Sequence, residues 1–202
     1  MYRPAAFDQT DLTTLAAAIN EHSFGLVIAD GPGDLEASHL PLLLDLERGE
    51  RGCLTGHVAR ANPLWQRADG RRVLTVFSGP HAYISPTWYG EPNTVPTWNY
   101  VAVHVYGLFR AVHDPDEILQ IVQRMVAVYE AGRQPPWTFD SSDEGMRKMA
   151  RVIVGFSIEV DRVEGKWKLG QNRSGASRAR VANILSQSAD PNDVRIGELM
   201  RE

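Results

Sequence analysis

The chain has 202 residues, 43% hydrophobic and 23% charged, which is the composition of a globular protein with a sizeable core rather than a disordered segment or a fibre. A formal net charge of −4 excludes a global field that would draw in nucleic acid or an anionic membrane. The single cysteine, Cys53, excludes an intrachain disulfide framework and a multi-thiolate metal site, and it fits a reducing compartment.

The segment from Met1 to Asp8 lacks the basic-then-apolar order of a secretory leader, and no stretch approaches the roughly 18 to 20 apolar residues of a membrane span. The expected location is the cytoplasm. Leu12, Leu15, Ala16 and Ile19 fall at helical spacing and predict an amphipathic helix. Phe24 to Ala29 reads as a buried strand, Asp30-Gly31-Pro32-Gly33 as a turn, and Leu35 to Leu44 as a second strand interrupted by Ser38 and His39. Cys53 to Val58 is a third strand, so three strands with short turns predict an antiparallel meander.

Asn62-Pro63 signals a helix start, with a short helix through Ala68. Arg72 to Ser78 is the next strand, and Thr97 to Val112 is a long β-branched and aromatic run with Gly107 marking a bend. Asp114-Pro115-Asp116-Glu117 is a strong helix start, followed by an apolar stripe that ends near Gly132. Ser141 and Glu144 form a second capping pattern, opening a helix through about Val152. Phe156, Ile158 and Val160 alternate as a strand before a Glu164-Gly165 turn, and a helical pattern then runs through Ile184 and Leu185. The expected fold is mainly β with flanking helices, a barrel with helices inserted between and after its strands, with an open α+β sheet as the alternative.

Chemistry concentrates between two strand-like runs. Gly79 to Pro86 carries His81, Tyr83 and Ser85, and Val95 to Tyr100 carries Trp98. Together they read as a loop longer than a plain connection needs, and therefore as a place to build a site. Trp88, Trp98 and Tyr100 could stack on a planar ring, although each aromatic alone is more often core. The run Gly56-His57-Val58-Ala59-Arg60-Ala61-Asn62-Pro63 sets imidazole and guanidinium before a helix start, a pattern that can cradle a phosphate. His39 could donate to a ligand oxygen, and the Gln171 and Asn172 amides could pair with ring carbonyls and nitrogens. The six histidines show no His-x-x-x-His spacing, and the nucleophile elbow, dinucleotide fingerprint and phosphate-loop patterns are absent, so no metal site or catalytic residue is assigned.

Those blocks, taken in order with the N-terminal Met-Tyr-Arg-Pro-Ala-Ala-Phe, Ser38-His39-Leu40-Pro41 and Gln171-Asn172-Arg173, closely resemble the PaiB family of FMN-binding negative transcriptional regulators. The resemblance implies a single split β-barrel FMN-binding domain over residues 1–202, related to pyridoxamine-phosphate oxidases, with a C-terminal helical extension and FMN held in a homodimer. It makes Arg60, Asn62 and His57 phosphate-side candidates, and His39, Ser78, Trp98 and Gln171 candidates around the flavin ring or ribityl chain. His81, Tyr83 and Ser85 complete the cofactor-binding set and double as substrate-side groups. Two functions compete: a flavin-dependent negative transcriptional regulator, and an FMN-dependent oxidoreductase acting on a small molecule; haem in the same fold ranks third. For a regulator, DNA or a regulatory protein is the partner, and the composition supports no basic recognition helix.

Overall fold

The computed structural model describes residues 1–31 and 34–201. Its elements in chain order are β1 (Asp8–Gln9), α1 (Leu12–Glu21), β2 (Phe24–Gly31), β3 (Asp34–Pro41), β4 (Leu43–Asp45), β5 (Cys53–Ala59), α2 (Leu64–Ala68) and β6 (Arg72–Ile84). They continue with β7 (Thr97–Val112), α3 (Pro115–Glu130), α4 (Glu144–Ala150), β8 (Ile153–Lys168), α5 (Gly175–Leu185) and α6 (Pro191–Leu199). The chain divides into two compact units. One comprises residues 1–18, 78–104 and 164–202, and the other residues 19–77 and 105–163.

The strands follow the order β3-β2-β6-β7-β8-β5-β4, with β1 pairing β8 beside this path. In the unit of residues 19–77 and 105–163, β2 pairs antiparallel with β3, Leu26 opposite His39 and Val27 opposite Ser38, and also with β6, Leu26 opposite Val76. At the other end β5 pairs with β8, His57 opposite Gly155, and with β4. The two ends of the order are therefore one run of chain broken at Leu42, whose side chain is fully buried. This is the open-barrel arrangement expected of a mainly β split barrel with flanking helices.

The expected meander is corrected by that order: β3 and β5 are not sheet neighbours, and Leu35 to Leu44 is two strands, not one. Three runs of alternating burial are longer than the sequence implied. β6 continues through Gly79 to Ile84, so His81 and Tyr83 lie on a strand rather than in a loop. Its buried positions shift from Val73, Thr75 and Phe77 to Pro80, Ala82 and Ile84, a change of face at Ser78-Gly79 that hides the continuity from a period-two reading. β8 likewise runs through Glu164-Gly165 without turning. The turn expected at Asp30 to Gly33 is half β2, and Pro32 and Gly33 lie outside the described residues.

Helix starts follow capping chemistry. The Asp114 carboxylate accepts from the Asp116 and Glu117 amides at 2.9 and 3.0 Å, with Pro115 at the first helical position. α4 is capped by Asp143, not by the expected Ser141. The unread helix α6 repeats the α3 signal, with Asp190 accepting from the Asn192 amide and Pro191 following it.

In the unit of residues 1–18, 78–104 and 164–202, Ala82, Ile84, Tyr89 and Leu169 form one core with Val181, Ala182 and Leu185 of α5 and Ile196 of α6. In the other unit, Ile118 and Leu119 of α3 pack with Ala150 of α4, flanked by Val122 and Phe139. Gly107 shows why β7 tolerates no side chain at its middle: a Cβ there would stand 2.3 Å from the main-chain oxygen of Glu159 on β8. Gly107→Ala is expected to cost about 1–3 kcal/mol, because the obstacle is backbone that cannot rotate away. Thermal unfolding would register this as a drop of about 2–4 °C per kcal/mol.

Candidate functional site

The structure gathers the expected residues into two groups, one in each unit. In the unit of residues 19–77 and 105–163, Arg60 follows β5 and is held on three sides. Its Nε donates to the Arg151 carbonyl at 2.7 Å and its Nη2 to the Ile153 carbonyl at 2.8 Å, while its own amide donates to the Val152 carbonyl at 2.8 Å. The Trp65 indole in turn donates to the Arg60 carbonyl at 3.0 Å. A guanidinium carries five N–H donors, so this anchoring fixes its plane while leaving donors for an anion.

Asn62 serves two ends at once. Its side-chain oxygen accepts from the Leu64 amide at 2.8 Å, and its amide group donates to the Ser38 hydroxyl at 3.0 Å. The first bond satisfies the start of α2, a helix of only five residues, so the expected helix-terminus contribution to anion binding falls away. His39, exposed on β3, lies against Phe24 with ring centroids 6.0 Å apart.

His57 stands apart from this polar cluster. It is half-buried on β5, its Nδ1 has no hydrogen-bond partner among the described residues, and burial holds its pKa below the usual histidine value. Two apolar cavities share it as a wall residue, surroundings that disfavour the charged imidazolium. Neither cavity has a sequence signature, because the α3 stripe reads as core and Trp137 follows a Pro-Pro turn.

The second group lies in the unit of residues 1–18, 78–104 and 164–202. Trp98 on β7 is 53% exposed and Tyr83 on β6 is 45% exposed, with ring centroids 5.9 Å apart, and His81 lies 6.1 Å from Trp98. Lys168, which the sequence marks as one of five basic side chains between Lys166 and Arg180 that could clasp a phosphate, bind DNA or face solvent, donates to the Trp98 carbonyl at 2.7 Å and to the Thr97 hydroxyl. Desolvation, then the neighbouring Lys166, lowers its pKa. The three rings form an exposed aromatic cluster rather than one plane, with Tyr83 edge-on to Trp98 at 71° and His81 tilted from it by 41°.

Other expected contacts turn inward. The Gln171 side chain accepts from the Leu169 amide at 2.8 Å and donates to the Trp167 carbonyl at 2.7 Å, so both ends of its amide close a local turn. Ser85 caps the short helical turn Pro86–Trp88, and Ser78 is exposed where β6 changes face. Two of the basic residues between Lys166 and Arg180 also turn inward: Arg173 lies 4.8 Å over the Tyr89 ring, and Arg178 donates to the Met200 carbonyl at 2.8 Å.

Comparison with known proteins agrees with this picture. Residues 1–162 match the family model described as "Putative FMN-binding domain". Protease synthase and sporulation protein PAI 2 of Bacillus subtilis is 36% identical over 204 aligned residues, spanning 100% of this chain and 97% of that protein. Uncharacterized protein AN0679 of Emericella nidulans is 26% identical over 243 aligned residues, again covering 100% and 97%. Among solved structures, the flavocytochrome Anf3 of Azotobacter vinelandii aligns with a TM-score of 0.64 at 13% identity, over 87% of this chain and 73% of that one. The FAD and heme binding protein of Mycobacterium smegmatis aligns with a TM-score of 0.63 at 12% identity, over 81% and 74%. The structural likenesses establish the fold, and the whole-length sequence likeness establishes the lineage: the chain belongs to the PaiB family of FMN-binding proteins.

Proposed function

We propose that this chain is a cytoplasmic FMN-dependent regulator that works as a homodimer, its 202 residues acting as one FMN-binding domain with C-terminal helices. When bound, FMN supplies a planar redox-active ring. The observation that carries the reading is the anchored guanidinium of Arg60, whose Nε and Nη2 are spent on main-chain carbonyls. A fork fixed in this way meets a phosphate without first losing side-chain freedom. Trp98, Tyr83 and His81 offer a stacking surface for a flavin ring, and Lys168 adds a donor at its edge. In a homodimer the phosphate group and the ring group of one ligand can be met by different chains.

The regulatory reading draws on the B. subtilis relative, whose name refers to protease synthesis and sporulation. With a net charge of −4 and with Arg173 and Arg178 engaged internally, regulation runs through a protein partner rather than through direct DNA contact. No helix among the described residues is long and apolar enough to cross a membrane.

The phosphate assignment separates from a purely structural role by comparing FMN with riboflavin, which lacks the phosphate. Arg60→Ala is expected to weaken FMN about ten- to hundredfold and leave riboflavin unchanged, as loss of a charge-assisted contact requires. Trp98→Ala should weaken both ligands alike. Equal losses for both ligands in Arg60→Ala would remove the phosphate role. In sedimentation, the FMN-loaded protein should run at the mass of two chains, and a monomer would refute the dimer. At near-physiological salt no promoter fragment should be shifted, whereas a sequence-specific shift would transfer the regulatory reading to DNA.

A further inference from the structure

The paired stretch of β5 and β8 ends with Ala59 opposite Ile153, and beyond it a single residue takes three consecutive main-chain carbonyls. The Arg60 amide donates to Val152, its Nε to Arg151 and its Nη2 to Ile153, at 2.8, 2.7 and 2.8 Å. Those carbonyls make up the junction where α4 ends and β8 begins. Arg151 is the C-terminal cap of α4, and the Arg151 and Val152 amides close its last turn on the Lys148 and Met149 carbonyls. A helix of seven residues is too short to hold its shape alone in water, so what grips its ends decides how well it is formed.

The other grips on α4 are few. Asp143 caps its start, accepting from the Met146 amide at 3.1 Å, and Ala150 packs on Ile118 and Leu119 of α3. Arg147 pairs with Asp116 at 2.6 Å, but the two side chains are 43% and 63% exposed, and water screens such a pair. At the C-terminal end, the charge-assisted bonds from Arg60 are the strongest polar contacts.

Two equilibria therefore share one planar group. The Nε donor and one Nη2 donor are spent on the junction, which leaves the Nη1 donors and the second Nη2 donor for an anion, and Arg60 is exposed to receive one. A phosphate that fixes the guanidinium removes the freedom it would regain by releasing the carbonyls. Held carbonyls, in turn, remove freedom that phosphate binding would otherwise have to overcome. Such linkage is reciprocal, each event favouring the other by the same factor.

We propose that Arg60 couples occupancy of the phosphate site to the order of the α4–β8 junction, so that FMN-loaded and flavin-free chains differ in how firmly the end of α4 is held. The inference rests on the assignment of the FMN phosphate to Arg60. It gives a regulator a difference to display, and Met149 and Val152, both exposed, put that difference at the surface.

Hydrogen–deuterium exchange on the full chain tests the coupling, with flavin fluorescence reporting binding in the same samples. Saturating FMN should slow exchange of the amides of residues 148–153 about fivefold or more, and saturating riboflavin, which lacks the phosphate, should leave them unchanged. Reciprocity supplies the second arm. Lys148→Gly loosens α4 at an exposed position, and it should speed exchange over residues 148–153 and weaken FMN about threefold while riboflavin binds as before. If that variant does not fold, the FMN–riboflavin contrast in the unaltered chain decides alone. FMN uptake with unchanged exchange, equal slowing by riboflavin, or faster exchange in Lys148→Gly with no loss of FMN affinity would each overturn the coupling while FMN binding itself stands. Absence of FMN uptake would overturn both.

Discussion

The corner at Leu42 is the constraint on which the unit of residues 19–77 and 105–163 depends. A single residue separates β3 from β4, yet these strands end up at opposite ends of the pairing order. The chain can turn so sharply only if nothing obstructs it from the facing strand, and Gly56 on β5 provides the clearance. A Cβ at that position would stand 3.0 Å from the Pro41 carbonyl and 2.8 Å from the Phe156 ring. Ser38 and His39 lie just before the corner, while His57 and Arg60 lie just after Gly56. The polar cluster and the apolar cavity therefore both descend from one close approach of backbone to side chain.

A polar cluster and an apolar wall are kept apart in this unit by where hydrogen bonds are spent. Around Arg60, main-chain carbonyls hold the guanidinium and the Asn62 amide reaches Ser38. Around His57, three residues along the chain from Arg60, the polar wall groups satisfy one another and the remaining surface is apolar. In the other unit His81, Tyr83 and Trp98 form an exposed aromatic cluster whose rings are inclined to one another.

Much of the fold was legible because its signals are local. The bounds of β7 and the start of α3 follow from a β-branched run and from Asp114-Pro115, and neither needs knowledge of distant residues. The misread elements depend on distant partners. The continuity of β6 past Ser78 is masked by its change of buried face, and that of β8 past Gly165 by a glycine that reads as a turn. At the site, residue types were legible but their commitments were not. Gln171 has the right amide, yet its own backbone consumes both ends; Asn62 does cap α2, but the bond from its other end to Ser38 crosses 24 residues of sequence. The sequence resemblance supplied the cofactor class, which no local pattern could.

The walls around His57 contain Met125, Met146 and Met149, on α3 and α4. Unbranched thioethers rotate freely and polarise easily, so such a lining moulds itself to several outlines rather than enforcing one. Met149 is also exposed to solvent, so oxidation to its sulfoxide would make part of that lining polar.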